Sequence, residues 1–163
     1  YGKQYNAAAV GEVNVVTKMK DTDAVIGGEG NGGVIYPAIH SGRDAMVGVA
    51  LFLSNLAHKK MTVSELKKTY PEYHIAKNKI ELSDKGLIDK ILSELKVIYA
   101  HENVNDIDGV KISFEDKREW VHLRKSNTEP IIRIYSEAPT EEEAVKLSEK
   151  VIAVAEKIIS SAK

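Results

Sequence analysis

Cysteine is absent from this sequence of 163 residues, and so is any long apolar run. Without cysteine the chain forms no disulfide and no thiolate metal site, which fits a reducing, cytoplasmic compartment. A membrane-spanning helix needs about 20 consecutive apolar residues, and the sequence has neither such a stretch nor a signal-peptide pattern. We therefore predict a cytoplasmic protein with no membrane partner.

An excess of one charge is also absent. The chain has 23 Lys and Arg against 24 Asp and Glu, for a net charge of -1 at pH 7. General polyanion binders carry a basic excess, so nucleic acid is not an expected partner. The hydrophobic share of 43% is enough for one or two small domains. Because the chain begins at Tyr1 rather than Met, we expect it to be part of a longer protein or a processed product.

The second half of the chain alternates between strand-like and helix-like patterns. A final helix is predicted from the capping box formed by Thr140 and Glu143 and from the apolar stripe between residues 144 and 158. The strand-like runs lie at residues 73–82, 110–114, 120–123 and 131–135. We predict an α+β fold, with about four mostly antiparallel strands and helices on one face.

The first half has the pattern of the C-terminal part of an α/β domain whose earlier strands are missing. A helix at 45–57 is apolar almost all round, so we expect it to be buried on most sides. Short buried strands are predicted at 24–26 and 34–36, with a glycine-rich loop between them. The polar stretch at 58–61 indicates a boundary, which gives domains at residues 1–58 and 59–163.

Two of the predicted strands flank a polar loop, RKSNTEP, at residues 124–130. An arginine fork, rotatable hydroxyls and a turn that exposes backbone amides are the donors that a phosphate needs. Composition alone favours an ordinary polar hairpin tip, whereas Pro130 and the nearby Arg133 favour a phosphate site. The candidate phosphate ligands are Arg124, Ser126, Asn127, Thr128 and Arg133, with Lys125 as a further pocket residue.

A second loop, GGEGNGG, spans residues 27–33. Glu29 and Asn31 are its only functional side chains, and a carboxylate with an amide suits the vicinal hydroxyls of a sugar. The alternatives are a flexible turn or a phosphate-cradling glycine loop, and the second is disfavoured because Glu29 repels phosphate and no Lys-Ser/Thr pair follows. Arg43, which follows the loop, is a candidate pocket cation.

In this order, the two loops resemble those of the α-D-phosphohexomutase family, which includes phosphoglucomutase/phosphomannomutase and phosphoglucosamine mutase. RKSNTEPIIRIYSEA resembles the family's last-domain phosphate loop, R-x-S-[GN]-T-x-P, and GGEGNGGVI resembles its third-domain sugar loop, G-E-x-S-G-H. VGEVNVVTKMK and HSGRDAMVGVALFL resemble the segments on either side of the sugar loop. The resemblance implies that residues 1–58 end domain 3 and that residues 59–163 form domain 4, which has a TATA-box-binding-protein-like shape.

The resemblance also implies a function. The family is a class of isomerases that interconvert hexose 1-phosphate and hexose 6-phosphate, with glucose, mannose or glucosamine as the sugar, through a bisphosphorylated intermediate. Its last-domain loop holds the non-reacting phosphate, and its sugar loop contacts hydroxyls. The residues carried over are Arg124, Ser126, Asn127 and Thr128 for the phosphate, and Glu29 and Asn31 for the sugar.

The family's catalytic parts do not occur in this sequence. Its phosphoserine and its D-x-D-x-D-R magnesium loop belong to domains 1 and 2, so the resemblance implies that Mg²⁺ is held elsewhere in the full-length enzyme. We therefore assign no catalytic or metal-binding residue here and expect the chain alone to be inactive without the missing N-terminal domains. The alternative is a freestanding phosphate-binding or interaction module without catalysis.

This sequence departs from the family pattern at several positions. Gly33 stands where many members have His, so one sugar contact is either lost or supplied elsewhere. Asn31 replaces the common Ser, while Ala9 and Glu12 fall near positions where some members place Lys and His for phosphate contact. The departures leave the preferred sugar open.

Overall fold

The computed structural model describes residues 5–82, 86–126 and 128–161. The chain divides into two compact units, Tyr1–Pro71 and Glu72–Lys163. The division falls later than the polar stretch at 58–61, because the short helix that follows this stretch groups with the first unit. The assignment of residues 1–58 and 59–163 to two family domains stays a prediction.

Most of the regular secondary structure in the first unit is helical. Its elements are α1 (Glu12–Asp21), β1 (Gly27–Gly28), β2 (Val34–Ile35), α2 (Ala45–Lys59) and α3 (Val63–Lys67). The two strands are antiparallel and pair Gly27 with Ile35 and Gly28 with Val34. They are the closing strands of the loop at 27–33, so the loop is a short hairpin.

Two predictions for the first unit are wrong. The first strand does not lie at 24–26, where Val25 and Ile26 are exposed; it begins at Gly27. Helix α2 has no buried residue within its bounds, and Met46 is 78% exposed. The apolar sequence of α2 predicted a buried helix. The two strands of this unit have two residues each, and a sheet of that size is too small to bury the helix.

The second unit contains one antiparallel sheet of five strands. Its elements are β3 (His74–Glu81), α4 (Gly86–Ile98), β4 (Asn103–Asn105), β5 (Val110–Phe114), β6 (Glu119–Lys125), β7 (Ile131–Ala138) and α5 (Glu141–Ser161). The strand order is β3-β7-β6-β5-β4, and every neighbouring pair is antiparallel. The α+β prediction is confirmed, with the three-residue β4 as an additional edge strand.

Helices α4 and α5 pack on one face of this sheet. Buried side chains alternate along the strands, as the two-residue period of a strand requires. The fully buried core includes Ile91 and Leu95 of α4, Val151 and Ala155 of α5, and Ile112, Val121, Leu123, Ile132 and Ile134 of the sheet. Residues that alternate with these strand positions lie on the other, helix-free face.

No helix in the described part of the chain is both long and apolar enough to cross a membrane.

Candidate functional site

The loop predicted to bind phosphate lies at the tip of the β6–β7 hairpin. The amide of Ser126 donates to the carbonyl of Ile131 at 3.0 Å, and the amide of Ile131 donates to the carbonyl of Glu129 at 2.8 Å. The hydroxyls of Ser126 and Thr128 lie 3.5 Å apart. The Ser126 amide is used in closing the loop, and the hydroxyls of Ser126 and Thr128 and the guanidinium of Arg124 are candidate donors to an anion.

Arg124 lies next to a carboxylate from a neighbouring turn. Its Nε donates to Asp108, with distances of 3.1 Å to Oδ1 and 2.9 Å to Oδ2. His122 Nε2 donates to the main-chain carbonyl of Asp108 at 2.5 Å. Two side chains of β6 thus hold the β4–β5 turn, and the turn in return fixes the direction of the Arg124 guanidinium.

A row of three cations crosses the helix-free face beside this loop. The sheet register pairs Arg124 with Arg133, and Arg133 with Lys79. Residues directly opposite each other on neighbouring strands share a face and have Cβ atoms about 5 Å apart. The row therefore places three cationic side chains next to one another beside the loop at 124–130.

Each cation in the row has a carboxylate partner. Arg133 Nη2 lies 3.4 Å from Glu129, and Lys79 Nζ lies 2.7 Å from Glu81. The hydrogen bond and charge of Glu81 raise the pKa of Lys79 above its ordinary value, so this amine stays charged. Because these pairs are exposed, a competing phosphate can replace a carboxylate partner at little cost.

Lys125, a predicted pocket residue, lies apart from this group. The register pairs Lys125 with Ile132, a core residue, so Lys125 lies on the helix side of the sheet. Its Nζ lies 3.4 Å from Asp89 of α4, and it does not join Arg124 and Arg133. Asn127 lies outside the described residues.

The glycine-rich loop is held by hydrogen bonds to its two functional side chains. Glu29 Oε1 accepts from the amide of Gly11 at 3.2 Å, which ties the loop to the start of α1. Asn31 Oδ1 accepts from the amide of Gly33 at 2.9 Å, and its Nδ2 donates to Glu29 Oε2 at 3.4 Å. The amide and the carboxylate are therefore adjacent, as contact with neighbouring hydroxyls requires.

Arg43 borders the same loop and is held by Glu12. Its Nε donates to Glu12 Oε2 at 2.7 Å, and its amide donates to Glu12 Oε1 at 3.1 Å. The amide and then the guanidinium of Arg43 lower the pKa of Glu12 below its ordinary value. The structure thus brings Arg43 together with Glu29 and Asn31 in one unit.

The start of α2 is fixed by a second polar pair. Asp44 is the N-cap of this helix and accepts from the amide of Val47 at 2.9 Å. His40 Nδ1 accepts from the amide of Gly42 at 3.0 Å, which leaves Nε2 to donate to Asp44 at 3.0 Å. The hydrogen bond from the Val47 amide, followed by that from His40, lowers the pKa of Asp44 below its ordinary value. The same hydrogen bonds fix the backbone that carries Arg43.

Sequence reasoning missed three residues of the two loops' surroundings. Asp108 and Lys79 lie near the loop at 124–130 only because β5 and β3 are neighbours of the β6–β7 hairpin. No sequence motif indicates this strand order. Glu12 was seen only as a departure from the family pattern, and its partner is 31 positions away. A carboxylate at the first position of a helix was the one available signal, and it is a common helix-end feature.

Across residues 5–82, 86–126 and 128–161, no group of three or more His, Asp or Glu side chains is arranged to hold a metal ion. The residues present therefore do not fit a magnesium site of their own.

Known proteins match both units. Residues 1–73 match the family described as phosphoglucomutase/phosphomannomutase, alpha/beta/alpha domain III, and residues 77–154 match the phosphoglucomutase/phosphomannomutase C-terminal domain. The chain belongs to the phosphoglucomutase/phosphomannomutase family. The resemblance that the two loops suggested is confirmed.

Relatives from archaea support this membership of the phosphoglucomutase/phosphomannomutase family. A phosphoglucosamine/phosphogalactosamine mutase of Sulfurisphaera tokodaii is 37% identical over 149 residues, which cover 90% of this chain and 32% of the relative. A phosphoglucomutase/phosphomannomutase of Thermococcus kodakarensis is 37% identical over 145 residues, which cover 88% of this chain and 31% of the relative. The chain thus spans about one third of the length of these curated relatives.

A solved structure shares the fold. A phosphoglucomutase/phosphomannomutase family protein of Burkholderia thailandensis aligns with a TM-score of 0.69 at 24% identity, and the alignment covers 90% of this chain and 32% of that one.

Proposed function

We propose that this chain is the substrate-binding C-terminal portion of a phosphohexomutase that interconverts hexose 1-phosphate and hexose 6-phosphate through a bisphosphorylated sugar. Residues 1–58 are the end of the family's domain 3 in this proposal, and residues 59–163 are its domain 4. Its substrate class is glucose, mannose or glucosamine phosphate, which fits the mutase names that the relatives carry. A cytoplasmic location suits charged sugar phosphates, which membranes retain.

The observation that carries the proposal is the set of donors at and beside the β6–β7 tip. Arg124 is oriented by Asp108, and the hydroxyls of Ser126 and Thr128 lie beside each other. A guanidinium and two hydroxyls supply the charge-assisted hydrogen bonds that hold a phosphate dianion. Asn127 is assigned to the same site by the family motif, and Arg133 adds a cation from the opposite strand.

In the first unit, Glu29 and Asn31 are the proposed sugar-binding residues. The carboxylate accepts from sugar hydroxyls, while the amide can donate or accept. Glu29 is already fixed by the amide of Gly11, and Asn31 by the amide of Gly33. Such pre-organised groups lose little conformational entropy when a ligand binds.

The proposal gives this chain binding and orientation, and it places the reaction's covalent chemistry outside the chain. When bound, magnesium in this family supplies charge stabilisation for the transferred phosphate. In this proposal the chain's own contribution is to position a phosphosugar. We expect the chain to bind phosphosugars weakly and not to convert them.

Amide-shift titrations of the chain test the proposal. Inorganic phosphate should shift the amides of Ser126 and Thr128, and glucosamine 6-phosphate should shift these and also the amides of Glu29 and Asn31. Glucosamine, which lacks the phosphate, is the matched control and should not shift Ser126 or Thr128.

The pattern of shifts decides between two functions. Absence of shifts at Ser126 and Thr128 with both phosphate ligands at millimolar concentration would contradict the proposal. Shifts at these residues with none at Glu29 and Asn31 would favour the alternative, a phosphate-binding module that does not recognise sugar.

A further inference from the structure

Gly33, at the end of the sugar loop, has its side-chain space filled by Arg43. A Cβ built on Gly33 would lie 2.8 Å from Arg43 Cδ and 3.4 Å from Arg43 Cγ. The backbone at Gly33 is not among the positive-φ glycines of the described chain, so its conformation allows a side chain. A side chain at position 33 therefore requires the stem of Arg43 to move, and it also comes within 3.2 Å of Asn31 Oδ1.

This packing has a consequence for the departure from the family motif. Many family members place a histidine at the position of Gly33. In this chain an arginine from the segment before α2 occupies the space beside that position, so a cationic donor is still present at the loop. The absence of a histidine at this position and the placement of Arg43 are therefore linked, because the stem of Arg43 lies in the space that a side chain at position 33 would take.

Glu12 holds the arginine so that its terminal nitrogens remain available. The carboxylate engages Nε and the backbone amide of Arg43 at 2.7 and 3.1 Å. Within the described ranges, neither terminal Nη group donates to another residue, and 51% of the side chain is exposed. The guanidinium borders a shallow concavity that Asn31, Gly32 and Gly33 also line.

We propose that Arg43 supplies, from its terminal nitrogens, the phosphosugar contact that a histidine at the position of Gly33 supplies in other family members, and that Glu12 is the residue that positions it. The inference rests on the proposed function and adds a residue to its sugar site. Because a guanidinium presents its donors in a fixed plane, a clamp on Nε aims the other two nitrogens at the ligand.

A residue swap tests this directly. In titrations of the chain with glucosamine 6-phosphate, Arg43→Ala should weaken the binding reported by Asn31 and Gly32 amides by about tenfold. Gly33→His alone should weaken it as well, because the imidazole collides with a stem whose far end is clamped by Glu12. The double variant Arg43→Ala/Gly33→His removes the collision and should recover most of the lost affinity.

Gly30→His is the matched control for adding a histidine to this loop. A Cβ at Gly30 meets nothing within 4 Å, so this variant adds an imidazole to the loop without meeting the Arg43 stem and should not rescue Arg43→Ala. Lys67→Ala, which removes an exposed cation elsewhere in the first unit, controls for the loss of charge. Glu12→Gln should weaken binding in the same direction as Arg43→Ala, while the β1–β2 amide signals report that the hairpin remains folded.

Two outcomes would overturn the inference. One is an Arg43→Ala variant whose affinity, reported by the Asn31 and Gly32 amides, equals that of the parent chain. The other is a double variant whose affinity does not exceed that of the weaker-binding single variant. Inorganic phosphate binding at Ser126 and Thr128 separates this failure from that of the proposed function, because Arg43 variants should leave it unchanged. If those amides do not shift in the parent chain, the proposed function itself fails.

Discussion

The carboxylate of Asp108 fixes the guanidinium of Arg124, with Nε at 3.1 Å from Oδ1 and at 2.9 Å from Oδ2. The two residues are 16 positions apart and meet because β5 and β6 are adjacent strands. Both side chains are about one quarter exposed, so the pair is accessible to a ligand without being fully hydrated. An arginine held in this way needs little further ordering to bind the phosphate that we propose as its ligand.

The first prediction separates the charge of Asp108 from its role as an acceptor. Asp108→Ala frees Arg124, and ordering a freed long side chain costs about 0.5–1.5 kcal/mol on binding. We expect weaker binding of inorganic phosphate to Asp108→Ala, measured by the amide shifts of Ser126 and Thr128. Asp108→Asn keeps an acceptor for Nε and should lose less affinity; an equal loss in both variants would contradict the positioning role.

The second prediction concerns Arg124 itself. Arg124→Ala removes a charge-assisted contact to phosphate, and such a loss costs about 2–4 kcal/mol. The affinity for phosphate and for glucosamine 6-phosphate should fall together, since both carry the group that Arg124 binds. Arg118→Ala removes an exposed arginine from the turn before β6 and should change neither affinity. Equal binding by the parent chain and Arg124→Ala would reject the assigned role.

The third prediction concerns the turn that carries Asp108. Gly109 has φ of +79°, and a Cβ there would lie 2.2 Å from the carbonyl oxygen of Leu123. Gly109→Ala should therefore lower the free energy of unfolding of the second unit by about 1–3 kcal/mol. Trp120, the one tryptophan of the chain, lies in this unit and reports its unfolding by fluorescence in urea.

An unchanged free energy of unfolding in Gly109→Ala would mean that the close approach to Leu123 and the positive φ do not destabilise the variant. Phosphate binding by the folded fraction of Gly109→Ala should also weaken, since the turn positions Asp108.

The sequence was a good guide where structure depends on local pattern. The β6–β7 hairpin follows from two strand-like runs around a polar loop. Helix α3 begins at a capping box of nearby residues, in which the Thr62 amide donates to Glu65 at 2.7 Å and the Glu65 amide donates to Thr62 at 3.3 Å. Both features depend on residues within a few positions of one another. Periodicity and capping report on such distances.

Features that depend on distant residues were not predictable in the same way. The cation row needs the strand order that places Lys79 beside Arg133, and no local pattern contains that order. The burial of α2 was predicted wrongly. A helix that is apolar on all sides is suited to a buried position, but whether it is buried depends on which other elements of the chain pack against it. Helix α2 keeps the composition and lacks buried residues in this structure.

The last prediction is a pH dependence at the sugar loop. Arg43 lowers the pKa of Glu12, so the ion pair stabilises the arrangement at pH values above the ordinary glutamate pKa of about 4.3. As pH falls through the lowered pKa, Glu12 takes up a proton, the bond to Nε weakens and the guanidinium is released. The Arg43 amide, which donates to Glu12 Oε1, should therefore shift with an apparent pKa below that of an ordinary glutamate. In Glu12→Gln this titration of the Arg43 amide should vanish. The titration of Asp44, whose pKa is lowered by other partners, should persist. If the Arg43 amide titrates equally in the parent chain and in Glu12→Gln, Glu12 is not the group responsible.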